Sequence, residues 1–376
     1  MSDQHGTISV MQLVYSLRMG GSEKVALDIS SRLDARGFRS SVCAMDLDGE
    51  LARDLDRLNV PHHVMHRKGV EPAVLKRLYR VMKQLRPDVV HTHHFTQLFY
   101  AALPARLAGA RIVHTEHEFF GYLRARLPRV MLRPLLMLCE RMTVVGPEVA
   151  DYFTGTIGVP RERVTIVPNG VDIGAFDCDR ESARRDLGLD SRELVLGTVG
   201  RLEPEKDQTT LLDVFGQVRA RHPRARLLVV GDGSLAESLR AYARQIGVAD
   251  HTLFLGYRRD IAKLLAAMDV FVLTSIREGL PISLIEAMAA RRPVIASDIG
   301  SVNDLVRNGE NGLVVQAGNA AGFAGAVERL IGSPELCERL GQAGRRTVEA
   351  SYSLAAVIRT YEELYRSAAV KAHVRN

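Results

Sequence analysis

The octapeptide GRLEPEKD, Gly200–Asp207, follows the apolar run ELVLGTV and sets two cations at the end of what reads as a buried strand. Gly200 lets another backbone approach closely there. Arg201 can grip a phosphate through paired N–H donors, and Lys206 is a mobile point charge. A second run, RLLVVGDG, ends in Gly231 and Gly233 ahead of a helical stretch whose first N–H groups can point at an anion. Taken alone, the octapeptide also reads as an ordinary basic turn paired with Glu203 or Glu205. The stretch SIREGLPISLIEAMAARRPVIASD adds carboxylate chemistry. Pro281 suits the first turn of a helix, where its missing N–H is not needed. Glu286 is the single charge between Gly279 and Ala290, with Ile282, Ser283, Ala289 and Ala290 as its helical neighbours. A carboxylate on so small and apolar a face is costly without a polar partner. The two hydroxyls of a ribose would serve; so would Arg291, Arg292 or solvent. Glu278, in the loop before that helix, could reach another set of hydroxyls.

The first half offers glycines and histidines. RMGGSEKVALDIS follows the first apolar run, with Gly20 and Gly21 free to take positive φ and Ser22 placed to cap a helix beginning near Glu23. This is not G-x-G-x-x-G, so a dinucleotide fingerprint is not supported. HTHH and HTEHE end successive runs, and strand alternation puts His91 and His93 on one face. Zinc would want three or four ligands with an organised surround. His91, His93, His114 and Glu116 could be assembled into such a set, but polar walls of a cleft are the simpler reading. No metal or cofactor is expected.

The elements that must position these groups follow from the alternation of short β-branched runs with longer amphipathic stretches. The runs TISVMQLVYS, SSVCAMDL, DVVHTH, ARIVHT, MTVVG and VTIVPNG lie in the first half. LVLGTVG, RLLVVGDG, TLFLGY, VFVLTS, PVIASD and GLVVQ lie in the second. Helical stretches such as Glu23–Arg36, Val74–Arg86, Thr209–Arg221, Leu235–Ile246 and Ile282–Ala290 separate them. The pattern is that of βαβ units and parallel, doubly wound sheets, whose ligands bind beyond the carboxyl ends of the strands. It restarts near Glu193, after the polar stretch FDCDRESARRDLGLD, which places a boundary within Phe176–Leu189 and domains at 1–180 and 181–352. The last helical segment, Ser353–Ala369, has no strand after it and could pack on either domain.

The chain's 376 residues suit two domains, and 46% hydrophobic with 25% charged residues suits a soluble globular enzyme. Four cysteines without a C-x-x-C pair exclude a zinc ribbon or redox dithiol and fit a reducing, cytoplasmic setting. The N-terminus reads as a strand rather than a signal peptide, and no stretch approaches the ~20 apolar residues that span a bilayer. A net charge of +6 favours anionic partners, or is simply a solvated basic surface. With aromatics at 6% and not interleaved with the basic residues, nucleic acid is not an expected partner. YLRARLPRVMLRPLLMLCERM, carrying Arg124, Arg126, Arg129 and Arg133 and interrupted by Pro128 and Pro134, and VLKRLYRVMKQLR are both basic and amphipathic. Either could lie on the inner face of an anionic membrane, at about 1 kcal/mol per basic residue, or bury its apolar face in the fold.

EGLPISLIEAMA resembles the E-x7-E signature of the retaining family 4 glycosyltransferases. GRLEPEKD resembles their diphosphate-binding segment, VPNGVD (Val167–Asp172) the motif closing their first domain, and GGSEK (Gly20–Lys24) their first glycine loop. The resemblance implies the GT-B architecture, two Rossmann-like domains facing across a cleft, with the final helix (353–376) crossing back to the N-terminal domain. It implies that Arg201 and Lys206 bind the donor diphosphate beside Gly200 and Gly231, and that Glu286 holds the ribose. Glu278 and the backbone of Gly279–Leu280 would hold the sugar, with the base near Tyr257 and Arg258. Gly20 and Gly21 would close over the donor phosphates. His117 matches the histidine that contacts the transferred sugar, with His93 as second choice; His93 and Glu116 are acceptor-side candidates. The implied reaction is metal-independent transfer from a UDP- or GDP-sugar to a hydroxyl of a saccharide or lipid-linked glycan. The donor configuration is retained by front-face attack, in which the leaving phosphate takes the acceptor proton. A nucleotide-sugar epimerase on the same architecture and a non-catalytic nucleotide-sugar-binding subunit are the alternatives.

Overall fold

Aliphatic, β-branched runs buried on both faces form parallel strands, and the chain folds as two such sheets. The computed structural model describes residues 7–18, 20–33, 37–117 and 126–373, without the side chains of 126–131, 148, 301 and 371–373. One sheet holds β1 (Ile8–Ser16), β2 (Phe38–Leu47), β3 (His62–Val64), β4 (Val89–His93), β5 (Arg111–Glu116), β6 (Arg141–Val144) and β7 (Val164–Ile166), in the order β3-β2-β1-β4-β5-β6-β7. The other holds β8 (Val195–Val199), β9 (Arg226–Val230), β10 (Thr252–Gly256), β11 (Val270–Leu273), β12 (Val294–Ser297) and β13 (Leu313–Val315), in the order β10-β9-β8-β11-β12-β13. Every pairing between these strands is parallel. Both sheets are Rossmann-like: the order reverses next to the first strand, between β1 and β4 and between β8 and β11.

The chain divides into Met1–Asn169 with Ala355–Asn376, and Gly170–Leu354. The division falls ahead of residue 180 because the polar stretch after Phe176 is not a linker. It contains the helix Arg180–Asp186, and Arg184 is buried in the second unit. The Arg184 guanidinium donates to the carbonyls of Ala267, Asp190, Ser191 and Glu193 and to the Asp269 carboxylate at 2.6–3.3 Å, so its charge and its donors are satisfied. The helix Leu354–His373 belongs, from Ala355 on, to the first unit, where Tyr361 and Tyr365 are completely buried.

The core of the second unit shows how the pattern works. Leu196, Leu227, Val229, Val272 and Ile295 of the strands pack with Leu211, Phe215 and Val218 of the helix Gln208–Arg221 and with Phe323 and Val327 of the helix Ala320–Ile331. Three local expectations are corrected. β3, only three residues long and two of them histidine, carries too little apolar signal to stand out. The first helix begins at Gly21, so Ser22 lies inside it, and its hydroxyl donates to the Glu23 carboxylate at 2.8 Å. The helix Arg126–Met137 runs through both Pro128 and Pro134, with Pro128 in its first turn; Arg124 lies outside the described residues.

Of the two glycines just past β8 and β9, Gly231 and not Gly200 is the one that permits a close backbone contact, which corrects the expectation for Gly200. Gly231 has φ +132°, and a Cβ built on it would sit 1.9 Å from the Gly200 carbonyl oxygen, whereas a Cβ on Gly200 meets nothing within 4 Å. Gly231→Ala is therefore expected to cost about 3 kcal/mol and to lower the melting temperature by roughly 6–12 °C, while Gly200→Ala melts near wild type. Calorimetry of the two variants checks this, and equal melting temperatures would contradict it.

Candidate active site

In the second unit the loops after β8 and β11 meet at the reversal of strand order. After β8 the chain makes a 3-10 turn, Pro204–Lys206, and Asp207 takes φ 46° to enter the helix Gln208–Arg221. Asp207 caps that helix, its carboxylate accepting from the Thr210 N–H at 3.3 Å and the Thr210 hydroxyl at 2.7 Å. From the other loop, the Thr274 hydroxyl donates to the carbonyls of Lys206 (3.2 Å) and Asp207 (2.8 Å), and the Ile276 N–H donates to the Glu205 carbonyl (2.9 Å). These backbone braces hold Lys206 against Glu278. The Lys206 ammonium donates to both Glu278 oxygens, at 2.6 and 2.7 Å, and the Ser275 hydroxyl donates to one of them at 2.7 Å. The Lys206 side chain is 19% exposed and that of Glu278 8%. A pair so desolvated is costly to break by removing one partner, at about 3–5 kcal/mol. Lys206 has three donor hydrogens; with two on Glu278, one remains for an anion.

Arg201 is held more loosely. Its side chain is 61% exposed and pairs with Glu205 at 2.7 Å, an arrangement worth at most about 1 kcal/mol and easily exchanged for a phosphate. Glu203 turns away and accepts from the Ser234 hydroxyl (2.6 Å) and N–H (3.0 Å), which hold its carboxyl below the usual range. Glu286, in the helix Ile282–Ala289, is buried beside Ala287, Met288 and Ala289 rather than solvent-facing. Arg291 pairs instead with Asp177 at 2.5 Å, and Arg292 donates to the carbonyls of Ala290 and Met268. Gly279 and the buried Leu280 lead into that helix. Arg258 is fastened by two hydrogen bonds to Asp260, at 2.8 and 2.5 Å, and its neighbour Tyr257 is exposed.

In the first unit the histidines gather at the corresponding reversal, between β1 and β4. His93 bonds Gln12 of β1 through Nε2 (2.9 Å) and His117, just past β5, through Nδ1 (2.9 Å). His91 bonds Thr115 through Nε2 and the Tyr365 hydroxyl through Nδ1, both at 2.6 Å. All four ring nitrogens of His91 and His93 are thus engaged, and among the described residues no three His, Cys, Asp or Glu side chains converge as metal ligands. Glu116 is completely buried, accepts from His94 Nδ1 at 3.0 Å and lies 3.7 Å from His114 Nε2. It orients His94, whose φ of 73° is unusual outside glycine. Burial works to raise the Glu116 carboxyl, but His114 and His94 outweigh it and hold it below the usual range. Gly20 precedes the first helix, and a Cβ on it would meet the Glu23 carboxylate at 2.4 Å.

Sequence reasoning passed over several groups that do the positioning. Gln12 interrupts an apolar run with a buried amide, a visible signal. Thr274 and Ser275 end the run VFVLTS in the place where ligands gather. Tyr365 lies 353 residues from Gln12, and no local pattern links them.

Burial foremost, and then the neighbouring imidazoles, push His91, His93 and His117 well below the ordinary value of 6.5. Above 6.5 both folded and unfolded forms are neutral and these groups leave stability unchanged. Below it the unfolded chain takes up protons that the folded chain refuses, so stability falls with pH, by up to about 4 kcal/mol per unit for three protons. Urea unfolding of the first unit between pH 7.5 and 5.5 should show that decline, flattening above 6.5; stability unchanged across the range would contradict it.

Comparison with known proteins agrees with this construction. A family profile described as "Glycosyltransferase Family 4" matches residues 19–174, and one described as "Glycosyl transferases group 1" matches residues 179–347. The chain is 32% identical over 304 residues to a D-inositol 3-phosphate glycosyltransferase of Rhodococcus erythropolis, covering 75% of this chain and 68% of that one. It is 29% identical over 265 residues to the UDP-Gal:alpha-D-GlcNAc-diphosphoundecaprenol alpha-1,3-galactosyltransferase of Escherichia coli, covering 67% and 68%. The crystal structure of Anabaena HepE with UDP-glucose superposes with TM-score 0.84 at 21% identity over 96% of this chain and all of that one. A glycosyltransferase from Rickettsia africae superposes with TM-score 0.84 at 19% identity over 97% and 99%. The chain belongs to the family 4 glycosyltransferases and has the GT-B fold.

Proposed function

We propose that this glycosyltransferase moves a sugar from a nucleoside diphosphate donor to a hydroxyl of a saccharide or lipid-linked glycan, with retention at the anomeric carbon. The observation that carries the reading is Lys206, braced by two loops and held by Glu278 at the strand reversal, with Arg201 on the same turn. UDP is the first nucleotide to try, in line with the UDP-Gal of the Escherichia coli relative's name and the UDP-glucose of the HepE complex. The Escherichia coli name also supports a lipid-linked glycan as acceptor.

As the sugar–oxygen bond breaks, negative charge grows on the departing diphosphate. Lys206 and Arg201 stabilise that charge, each through charge-assisted hydrogen bonds of about 1.5–3 kcal/mol. Preorganisation makes the contribution effective, because the ammonium is already in place before charge develops. The donor phosphate, rather than a protein base, takes the acceptor proton. Glu278 orients Lys206 and accepts from sugar hydroxyls, Glu286 accepts from the ribose, and His117 contacts a sugar hydroxyl. No protein nucleophile is required.

A membrane setting is part of the proposal. The apolar face of the helix Ala73–Leu85 is occupied internally by Val74, Leu78 and Met82. The helix Phe95–Ala108, by contrast, shows Phe99, Leu103 and Leu107 in one exposed stripe, with Arg106 exposed beside it. An apolar stripe with basic neighbours suits an anionic bilayer surface.

Two measurements follow. Lys206→Ala should lower kcat by about 10²–10³-fold with a smaller change in donor KM, since the charge it meets appears in the transition state. Glu286→Ala should mainly raise donor KM. Turnover of Lys206→Ala at the wild-type rate would remove the leaving-group assignment. In flotation assays the wild type should rise with anionic vesicles and Leu103→Glu/Leu107→Glu should not; equal, negligible binding to anionic and neutral vesicles would end the membrane reading.

A further inference from the structure

Gln12 stands mid-strand in β1 with no exposed surface. It joins two arms of a hydrogen-bond chain, and the direction of that chain can be read from its far end. The His114 carbonyl can only accept, so the Thr143 hydroxyl donates to it, at 3.3 Å. That uses the Thr143 proton, so the Thr115 hydroxyl donates to Thr143. Thr115 therefore accepts from His91, whose proton is on Nε2 (2.6 Å). The bare Nδ1 of His91 accepts from the Tyr365 hydroxyl (2.6 Å), and the Tyr365 oxygen accepts from the Gln12 NH₂ group (3.1 Å). The Gln12 carbonyl then faces His93 and accepts from its Nε2–H (2.9 Å). With Nε2 protonated, His93 Nδ1 accepts from His117 Nε2–H, also at 2.9 Å. Each ring holds one proton, consistent with burial and neighbouring imidazoles keeping His91, His93 and His117 neutral. His117 is the partly exposed end of the chain.

We propose that Gln12 and Tyr365 are positioning residues that hold His117 in its Nε2–H tautomer, so that its Nδ1 lone pair accepts from a sugar hydroxyl. This rests on the reading of His117 as a sugar contact. The consequence is a specificity filter. Nδ1 rewards a group that donates and repels one that only accepts, so a sugar carrying fluorine in place of the contacted hydroxyl is discriminated against. Reversing the Gln12 amide would invert the arm toward His117 and present an N–H instead. The fixed His114 carbonyl, acting through Tyr365, opposes that reversal.

Long-range ¹H–¹⁵N NMR of the histidine rings in the full chain tests the assignment without relying on activity. His117 and His93 should show protonated Nε2 and bare Nδ1, and His91 the same. Gln12→Glu offers acceptors to both neighbours, so the Tyr365 hydroxyl turns to it and leaves His91 Nδ1 without a donor; His91, held at Nε2–H by Thr115, and His93 and His117 should all keep their tautomer. Tyr365→Phe, which deletes one hydroxyl, should leave His117 as a mixture of tautomers. That variant should lower kcat/KM for the natural donor about tenfold and narrow its preference over the deoxyfluoro donor. A wild-type His117 protonated on Nδ1, or a Tyr365→Phe enzyme with unchanged tautomer and unchanged fluoro discrimination, would overturn the proposal. If the tautomers hold but His117→Ala keeps wild-type kcat/KM, the sugar-contact reading fails and the positioning role with it, while the hydrogen-bond directions stand.

Discussion

A reversal of strand order makes the second unit's site. β8 and β11 are neighbours in the sheet, and the chain leaves them on connections that diverge, so their carboxyl ends open a gap that backbone alone does not fill. Lys206 and Glu278 fill it. Seventy-two residues apart in sequence, they meet with an ammonium on both carboxylate oxygens. Their loops are tied by main-chain acceptors of the Thr274 hydroxyl and by the Ile276 N–H, not by the ion pair alone. The charge is thus held by the main chain of two loops as well as by its counter-ion.

The first unit uses its own reversal differently. Between β1 and β4 the side chains are neutral and mutually bonded: Gln12, His91, His93 and, from the last helix, Tyr365. Buried neutral donors and acceptors are inexpensive when every one is satisfied and costly when one is not. Such a network specifies orientation where the Lys206 site supplies charge. One fold motif therefore carries two chemistries, set by which residues stand at the strand ends.

Much of this was legible in the sequence because it is local. Alternating β-branched and amphipathic stretches gave the parallel sheets, and the glycines and cations after LVLGTVG marked the strand end that matters. What escaped was nonlocal or faint. Three residues of β3, two of them histidine, lack the apolar signal of a strand. The charged stretch after Phe176 looked like a boundary because its composition hides Arg184, which is buried with its guanidinium on the carbonyls of Ala267, 83 residues on, and Glu193. Glu278 and Lys206 were each visible, but their pairing was not; the pairing of Arg201 with Glu205, by contrast, was one of the readings the octapeptide itself offered.

The central claim is that Arg201 and Lys206 meet the outer phosphate of a nucleoside diphosphate, and calorimetric titration with uridine mono- and diphosphate tests it most directly. The wild type should bind the diphosphate about 100-fold more tightly, a difference of roughly 2.7 kcal/mol. Arg201→Ala and Lys206→Ala should each narrow that gap about tenfold while leaving monophosphate affinity near wild type. Variants that weaken both nucleotides equally, or leave the gap intact, would contradict the account.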